Sequence, residues 1–362
     1  MMFQRYTHLV DDALAGLAPS RETCRWIMDG DDVQLLALLQ AAYVPREKVF
    51  GRKVKVHILN NVQNGRCQED CGYCSQSKDS DAPIEAYPMK TDEQIFAEAE
   101  QAAKNGASRY CMVLSGRGPS MERTKKLAGL IKGVKDKYPV EVCLSVGLID
   151  DQKAQILADA GLDRLTHNLN TSERMYKDIC TTHTYQDRVN TIVAAKKAGM
   201  SSCSGLIVGM NETTDDIIDV AMKLRELEVP SIPVNFLIPI EGNPMYSDHT
   251  LTPEKCLRAL CLLRLINPTA EIRAAAGREG HLKALQPLAF WPANSLFVDG
   301  YLTTRGSDMA NTYRMIREAG FEVEGNKLYE AEGGEAQAYR VDDTALPILK
   351  PEVSRKSSCV PS

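Results

Sequence analysis

Short runs of β-branched and other apolar residues alternate along this chain with longer segments whose apolar residues recur every three to four positions. The short runs predict buried strands, and the longer segments predict amphipathic helices. From residue 53 onward the pattern predicts eight strands, at Lys53–Leu59, Arg109–Ser115, Val140–Val146, Asp163–Asn168, Ser202–Val208, Ile232–Ile238, Glu271–Ala275 and Ala293–Val298. The segments between these strands are predicted to be helices.

Two of the predicted helices have well-defined starts. Thr91 and Gln94 predict a capping box, and Gly106 follows the last turn of that helix. Thr252 precedes Pro253 at the start of another helix, where proline is tolerated because the first helical N–H groups lack intrahelical partners. These signals separate the helices from the strands on either side.

Eight strand–helix repeats favour an α/β fold of the (β/α)8 TIM-barrel type, although a doubly wound open sheet shows the same alternation. Eight strands rather than five or six favour the barrel. We expect an N-terminal helical extension in residues 1–50, with two short helices broken at Asp29 and Gly30. The barrel is expected in residues 51–322 and a weakly ordered C-terminal tail in residues 323–362, where glycine, proline and serine replace the periodic pattern.

Composition narrows the class of protein. With 362 residues, 44% of them hydrophobic and 25% charged, the chain can bury one large core or two ordinary ones. No segment approaches the roughly 18 apolar residues that a membrane span requires. The net charge is −5 and the basic residues are scattered, so we expect neither membrane association nor nucleic-acid binding.

The eleven cysteines are too few and too irregularly spaced to predict a disulfide framework. The N-terminal residues do not resemble a signal peptide, because Arg5, Asp11 and Asp12 interrupt the apolar positions. We therefore expect reduced thiols and a cytoplasmic protein.

Three cysteines with C-x3-C-x2-C spacing, Cys67, Cys71 and Cys74, follow the first predicted strand. Three thiolates from one short loop can hold three corners of a cubane iron–sulfur cluster and leave the fourth iron open to a small molecule. Structural zinc is the main alternative, but such sites usually pair two short Cys or Cys/His units, and no second C-x2-C occurs. The spacing favours a reactive cluster.

Three more cysteines and one arginine fall within predicted strands, namely Cys111, Cys143, Cys203 and Arg273. A buried cysteine is commonly a small apolar residue, whereas an arginine on a core strand is unfavourable unless it is paired. A second iron–sulfur cluster, with three thiolates and one unusual nitrogen ligand, would satisfy all four. Cys24, Cys180, Cys256 and Cys261 fit no such geometry, and the last two are expected to pack among leucines.

On the fourth predicted strand, Thr166, Asn168 and Asn170 alternate on one face. A polar row at period two is unusual for a buried parallel strand, whose residues are mostly aliphatic. These side chains therefore need hydrogen-bond partners in the barrel interior.

The cysteine loop resembles the signature of the radical S-adenosylmethionine enzymes, with Tyr73 at the aromatic position before the last cysteine. The residues from Gly205 to Glu212 are similar to a G-x-I-x-G-x-x-E sequence that these enzymes carry near the adenine. Within it, Ile207 would offer the ring an apolar surface.

Over about Lys53 to Thr304 the chain resembles the biotin synthase family. The segments that carry this resemblance are Cys67–Ser77, Tyr110–Met112, Val142–Leu144, His167–Ser172, Thr184–Arg188, Cys203–Gly205, Asn235, Arg273 and Ala276–Glu279. The resemblance implies a radical S-adenosylmethionine sulfurtransferase that catalyses the last step of biotin biosynthesis, inserting sulfur between two unactivated carbons of dethiobiotin. Because no acid or base ionises such C–H bonds at neutral pH, hydrogen abstraction by a 5'-deoxyadenosyl radical is required.

The same resemblance implies a [4Fe-4S] cluster that cleaves S-adenosylmethionine and a [2Fe-2S] cluster that donates sulfur. The implied ligands are Cys67, Cys71 and Cys74 for the first cluster, and Cys111, Cys143, Cys203 and Arg273 for the second. The implied cofactor contacts are Tyr73, Asn168, Asn170, Arg188 and Ile207, and the implied substrate contacts are Asn168, Asn235, Thr303 and Thr304. No catalytic residue beyond the cluster ligands is expected.

The chemistry of these contacts agrees with the roles implied. A guanidinium such as that of Arg188 suits the methionyl carboxylate, and the amide of Asn235 can donate to the urea carbonyl. The resemblance also implies a homodimer and an electron donor such as flavodoxin or ferredoxin.

Three other functions stay open at this point. Another radical S-adenosylmethionine enzyme with a similar barrel, such as a methylornithine synthase or a hydrogenase maturase, would not need three strand cysteines and a strand arginine. An iron–sulfur electron carrier or a zinc-stabilised binding barrel would not cleave S-adenosylmethionine.

Overall fold

The computed structural model describes residues 2–65, 67–246, 251–298, 300–302, 304 and 307–325. The helices are α1 Met2–Leu14, α2 Arg21–Asp29, α3 Leu35–Phe50, α4 Asp92–Lys104, α5 Met121–Lys137, α6 Asp151–Asp159, α7 Tyr176–Ile179, α8 Tyr185–Lys197, α9 Thr214–Glu226, α10 Pro253–Ile266, α11 Arg278–Leu282 and α12 Met309–Glu318. The strands are β1 Lys53–Gln63, β2 Arg109–Leu114, β3 Glu141–Ser145, β4 Arg164–Thr166, β5 Ser201–Cys203, β6 Leu206–Val208, β7 Ser231–Phe236, β8 Glu271–Ala274, β9 Ser295–Val298 and β10 Glu322–Glu324. A 3-10 helix covers Lys283–Phe290.

The strands form a closed parallel barrel. Each strand from β1 to β9 pairs with the next position in parallel register, and β9 pairs back with β1. The segments β5 and β6 share one position, since both pair with β7. The barrel therefore has eight positions, which confirms the predicted (β/α)8 fold.

Successive residues on each strand point alternately outward, into an apolar layer, and inward, into a polar interior. On β2, Tyr110 and Met112 point outward into the layer of helices, where they join a buried cluster that includes Ile95 of α4. The alternate residues Arg109 and Cys111 point inward. The polar side chains that fall on predicted strands are thus brought together inside the barrel.

The predicted helix starts agree with the structure. Thr91 and Gln94 form a capping box at α4, and Thr252 caps α10 ahead of Pro253. In the N-terminal extension, α2 ends at Asp29 as expected. The sequence pattern did not predict α1, which packs on α3.

The C-terminal end of the described chain is more regular than predicted. Strand β10 pairs with the start of β1, with Lys53 opposite Glu322. The predicted boundary at residue 323 therefore falls inside a strand, and the rest of the predicted tail, from residue 326, lies outside the described residues. Among the residues described, no helix is both long and apolar enough to span a bilayer.

The strand predicted over Ser202–Val208 is interrupted at Gly205. A Cβ placed on Gly205 would lie 1.8 Å from the carbonyl oxygen of Pro233 on β7, so the two backbones approach too closely for a side chain. Replacement of Gly205 by Ala should lower the free energy of unfolding by about 3 kcal/mol, because backbone must move to relieve the overlap. Chemical denaturation measures the loss. The matched change Gly129→Ala on α5, where nothing lies within 4 Å, should stabilise the chain by up to about 1 kcal/mol.

Candidate active site

The C-x3-C-x2-C loop begins just beyond the carboxyl end of β1. Its turns are closed by backbone hydrogen bonds from Cys67 N to Gln76 O at 2.6 Å and from Cys74 N to Cys71 O at 3.0 Å. Burial and the neighbouring Cys67 raise the pKa of Cys74. A bound cation would reverse this effect on Cys74, because it favours the thiolate. This donor set fits an iron–sulfur cluster.

The four polar side chains predicted on core strands lie together inside the barrel. Cys111 on β2 is in register with Cys143 on β3, and both line a cavity of about 160 Å³ together with Arg273 of β8. Nη1 of Arg273 lies 3.7 Å from Sγ of Cys203 on β5. The structure thus brings all four together, while their role as cluster ligands stays a prediction.

The thiols in this cavity share protons. Hydrogen bonding from Cys111 lowers the pKa of Cys143 to about 6, and the pKa of Cys111 is raised in return. Thr166 Oγ1 lies 2.8 Å from Cys143 Sγ, so one member of the predicted polar row also meets the thiols. Two buried thiols this close, with a hydroxyl beside them, offer the donors that a metal cluster requires.

Arg273 is held by a buried charge network that the sequence analysis did not find. Its Nη2 donates to Ser231 Oγ at 3.1 Å and to the carboxylate of Glu271, which Nη1 of Arg109 also approaches at 3.3 Å. His57 Nε2 lies 3.1 Å from the same carboxylate. Burial would raise the pKa of Glu271, but Arg273, His57 and Arg109 hold it well below its usual range. The alternation of Glu271 and Arg273 on β8 was the available signal.

One atom of Arg273 lacks a partner. Its Nε is buried without a hydrogen bond among the described residues, although the two terminal nitrogens are paired. An unpaired buried donor is unfavourable, and Arg273 is one of the residues that line the cavity with Cys111 and Cys143. The residues present therefore fit a second iron–sulfur cluster.

A second cavity, of about 200 Å³, adjoins the cysteine loop. Its lining includes Cys74 and, among the predicted contacts, Tyr73, Ile207 and Thr304. The two cavities share four wall residues, Asn235, Ala276, Tyr301 and Leu302. The loop thiols and the barrel thiols thus border two adjoining spaces. Thr303 lies outside the described residues.

Three predicted contacts lie around the loop. Asn168 lines the thiol cavity, and its Oδ1 accepts from Gly205 N at 3.1 Å. Asn170 adopts a positive φ of 68° and donates from Nδ2 to the Tyr73 hydroxyl at 2.5 Å. Arg188 is buried, with Nη1 2.7 Å from Asn168 O and Nη2 3.4 Å from the Tyr73 hydroxyl. Asn170 and Arg188 therefore contact the aromatic residue of the loop, and Asn168 lies next to Arg188 on the barrel side.

Asn235 lies where the two cavities meet. Its Oδ1 accepts from Ala276 N and its Nδ2 donates to Leu206 O, both at 3.2 Å. The second hydrogen on Nδ2 is available to a ligand. Tyr301, which the sequence analysis missed, is fixed beside it by a 2.8 Å hydrogen bond from its hydroxyl to Glu279.

Cys180 is not among the residues that line the barrel cavity, but it lies against the cysteine loop, a neighbour that the sequence pattern did not predict. Cys180 follows α7, and its Sγ is 3.7 Å from Cys71 Sγ and 3.3 Å from Nδ1 of His183. The available signal was the C-x2-H spacing of Cys180 and His183, which joins the loop only through the tertiary fold. Cys256 and Cys261 on α10 are buried in the apolar core, as expected.

His167 gives the folded chain a dependence on pH. Burial, Arg188 and His183 hold its pKa well below the usual value, and its Nε2 has no partner among the described residues. The unfolded chain has an ordinary histidine pKa of about 6.5, so below that pH only the unfolded state takes up this proton and stability falls. His167→Gln should remove a slope of up to about 1.4 kcal/mol per pH unit between pH 6.5 and 5.5. Urea denaturation at both pH values checks this, with His8→Gln on the exposed face of α1 as the control.

Two family models match the chain. The model of the Radical SAM superfamily matches residues 62–224, and the model of the Biotin and Thiamin Synthesis associated domain matches residues 233–322. The biotin synthase of Acaryochloris marina (strain MBIC 11017) is 53% identical over 328 residues, which cover 91% of this chain and 94% of that protein. The biotin synthase of Magnetococcus marinus (strain ATCC BAA-1437 / JCM 17883 / MC-1) is 50% identical over 316 residues, which cover 87% of this chain and 98% of that protein.

Solved structures share the fold. The crystal structure of a methylornithine synthase matches with a TM-score of 0.76 at 19% identity, covering 90% of this chain and 99% of that chain. At this identity the likeness shows the barrel alone. The barrel therefore does not distinguish between reactions, which depend on the side chains described above.

Proposed function

Because this chain belongs to the biotin synthase family of radical S-adenosylmethionine enzymes, we propose that it inserts sulfur into dethiobiotin with two iron–sulfur clusters, held by the loop thiols and by the barrel thiols. The membership rests on sequence identity over most of the chain. The assignment of clusters and contacts to individual residues is our proposal. The observation that carries it is the wall shared by the two cavities.

In this proposal Cys67, Cys71 and Cys74 hold a [4Fe-4S] cluster with one open iron. The cluster would bind S-adenosylmethionine and supply the electron for its cleavage. Arg188 would meet the carboxylate of the methionyl group, since its Nη2 lies 3.9 Å from Cys71 Sγ, at the loop itself. Ile207 would contact the adenine, and Asn170 would orient the hydroxyl of Tyr73.

Cys111, Cys143, Cys203 and Arg273 would hold a [2Fe-2S] cluster, which would supply the sulfur atom. Three thiolates and a guanidinium nitrogen on four strands make an unusual donor set. The buried and unpartnered Nε of Arg273 supports this assignment. Glu271, Ser231 and His57 would keep the guanidinium directed toward the thiols.

Dethiobiotin would lie where the two cavities meet. That position would lie between the loop thiols and the barrel thiols, so that both proposed clusters would be next to the substrate. The free hydrogen on Nδ2 of Asn235 would donate to the urea carbonyl, and Asn168 would lie on the barrel side. Thr304 would meet the carboxylate, with Thr303 as its predicted neighbour.

Family similarity also supports three statements about the cellular setting. We propose a homodimer in the cytoplasm that receives electrons from a flavodoxin or a ferredoxin. The ten cysteines within the described residues are all free thiols, in agreement with a reducing compartment.

The test is an anaerobic incubation of reduced, cluster-loaded protein with S-adenosylmethionine and dethiobiotin. We expect 5'-deoxyadenosine together with biotin, and enough iron and sulfide for one four-iron and one two-iron cluster per chain. Protein that never exceeds four irons would contradict the second cluster. Cluster-replete protein that forms neither product would reject the enzyme.

A conservative variant tests the role of Arg273. Arg273→Lys keeps a positive charge near Glu271 but loses the planar group that reaches Cys203. We expect an altered absorption spectrum of the second cluster and a biotin yield reduced about tenfold or more, with 5'-deoxyadenosine still formed. If the spectrum and the yield were unchanged, the role of Arg273 would be limited to neutralising the charge of Glu271.

A further inference from the structure

We propose that, when the cysteine loop holds no cluster, Cys71, Cys180 and His183 bind a single thiophilic divalent cation such as Zn²⁺, and that this cation blocks cluster loading. The three residues come from two segments, the loop after β1 and the connection between α7 and α8. Their ligand atoms all lie within 4.8 Å of one another. This zinc site is different from the proposed cluster site of the loop, although Cys71 belongs to both.

The distances match a tetrahedral metal centre. With zinc bonds of about 2.3 Å to sulfur and about 2.0 Å to nitrogen, a tetrahedron separates two sulfurs by about 3.8 Å and a sulfur from a nitrogen by about 3.5 Å. The observed distance from Cys71 Sγ to Cys180 Sγ is 3.7 Å. Cys180 Sγ lies 3.3 Å and 3.9 Å from the two ring nitrogens of His183. These distances are close to the tetrahedral values, and the remaining separation, from Cys71 Sγ to the histidine nitrogen, is within 4.8 Å.

A carboxylate holds the imidazole ring of His183 in place beside the thiols. Nδ1 of His183 is hydrogen-bonded to Oε2 of Glu69, which leaves the Nε2 lone pair for a metal. Glu69 is itself fixed by Thr182 Oγ1 at 2.6 Å and by Arg117 at 3.3 Å. Carboxylate–histidine–metal arrangements of this kind are typical of zinc sites.

The second segment is tied firmly to the loop. Asp70 accepts from Thr181 N at 2.9 Å and from Thr182 N at 3.2 Å. These bonds fix the backbone that carries Cys180 and His183 against the residue next to Cys71. The site is therefore largely preformed, so binding orders few additional groups.

Burial and charge also favour a cation. Cys71, Cys180 and His183 are 8%, 3% and 6% exposed. A divalent cation would balance the two thiolates, while Arg117 pairs with the carboxylate of Glu69. Three protein ligands leave a fourth position for water.

Competition with the cluster follows from the shared ligand. Cys71 cannot bind a zinc ion beside Cys180 and also occupy a corner of the loop cluster. Zinc bound first would have to leave before the loop could take up iron and sulfide. Cys180 and His183 would thus make cluster loading sensitive to free zinc.

The test uses the full chain after its clusters have been removed by anaerobic chelation. Zn²⁺ affinity is measured by competition with a chromophoric chelator, and Co²⁺ reports the ligands through thiolate charge-transfer and tetrahedral visible bands. We expect Cys180→Ala and His183→Gln each to weaken the tightest binding at least tenfold. Cys256→Ala, which removes another buried cysteine, should bind like the parent.

A double variant separates this site from the loop thiols and the barrel thiols. Cys67→Ala/Cys74→Ala removes two loop thiols but keeps Cys71, so it should retain the tight Co²⁺ spectrum, and adding Cys180→Ala should abolish that spectrum. Circular dichroism checks that each variant is folded. Equal zinc affinity in the parent, the Cys180→Ala variant and the His183→Gln variant would overturn the proposal, as would loss of tight binding in the double variant.

A second readout tests the competition. In a Cys203→Ala background, which should hold the loop cluster alone, one equivalent of Zn²⁺ added before iron and sulfide should slow the growth of cluster absorbance at least tenfold, but not when Cys180→Ala is added. Equal slowing in both would contradict the blocking role. Neither measurement involves S-adenosylmethionine or dethiobiotin, so failure here leaves the proposed enzyme function unaffected.

Discussion

Replacing Cys203 by alanine is expected to reduce biotin formation at least about a hundredfold while S-adenosylmethionine is still cleaved. The thiol of Cys203 lies beside Arg273 in the barrel, away from the cysteine loop. In the proposed mechanism its loss removes a ligand of the sulfur donor but leaves the three loop thiols intact. Product analysis by mass spectrometry measures 5'-deoxyadenosine and biotin in the same incubation.

The matched control is Cys256→Ala, since Cys256 is also fully buried but lies on α10 in the apolar core. It should lose some stability and keep its biotin yield. Biotin formation at the parent rate in the Cys203→Ala variant would remove this thiol from the second site. Loss of both products would place it in the machinery that cleaves S-adenosylmethionine instead.

Replacing Glu271 by glutamine is expected to lower the free energy of unfolding by about 3 to 5 kcal/mol. Gln keeps the shape of the side chain but removes the negative charge shared by Arg273 and Arg109, which are both buried. A buried guanidinium without a counter-charge is strongly unfavourable. Urea denaturation of cluster-free protein measures the loss at a pH near 7.

Glu141→Gln is the control for this change. Glu141 accepts from Nε of the same arginine, Arg109, at 2.9 Å, but its side chain is 45% exposed, against 6% for Glu271. Solvent screening should limit its loss to about 1 kcal/mol. Equal losses in the two variants would show that burial of the carboxylate at Glu271 has no special role.

Much of the fold follows from local patterns. All eight predicted strand positions are present, because the outward-facing residues of each strand are apolar and often β-branched, which marks the strand in the sequence. Capping residues such as Thr91 and Thr252 act within one helical turn, so they could be read directly. The interruption at Gly205 could not be predicted from the sequence, since its cause is the backbone of Pro233 on the next strand of the barrel.

The candidate site, too, could be predicted from the sequence only in part. Cys67, Cys71 and Cys74 are close in sequence, and their spacing alone predicts that they bind one iron–sulfur cluster together. The barrel thiols could be grouped only by assuming a closed ring of strands. Cys180 was missed because its partner Cys71 lies far away along the chain, and the link from Glu271 to Arg109 was missed for the same reason, although its alternation with Arg273 could be read locally.

The sequence by itself determined the order of strands and helices, the ends of several helices and the three-thiol loop, because each depends on neighbours within one or two turns of chain. Only the tertiary structure decided which side chains share a space: the thiols of β2, β3 and β5 with Arg273, and Cys180 with His183 against the loop. When the barrel closes, the residues that point inward from separate strands come into contact with one another. Those contacts set the burial and charge on which the chemistry of the site depends.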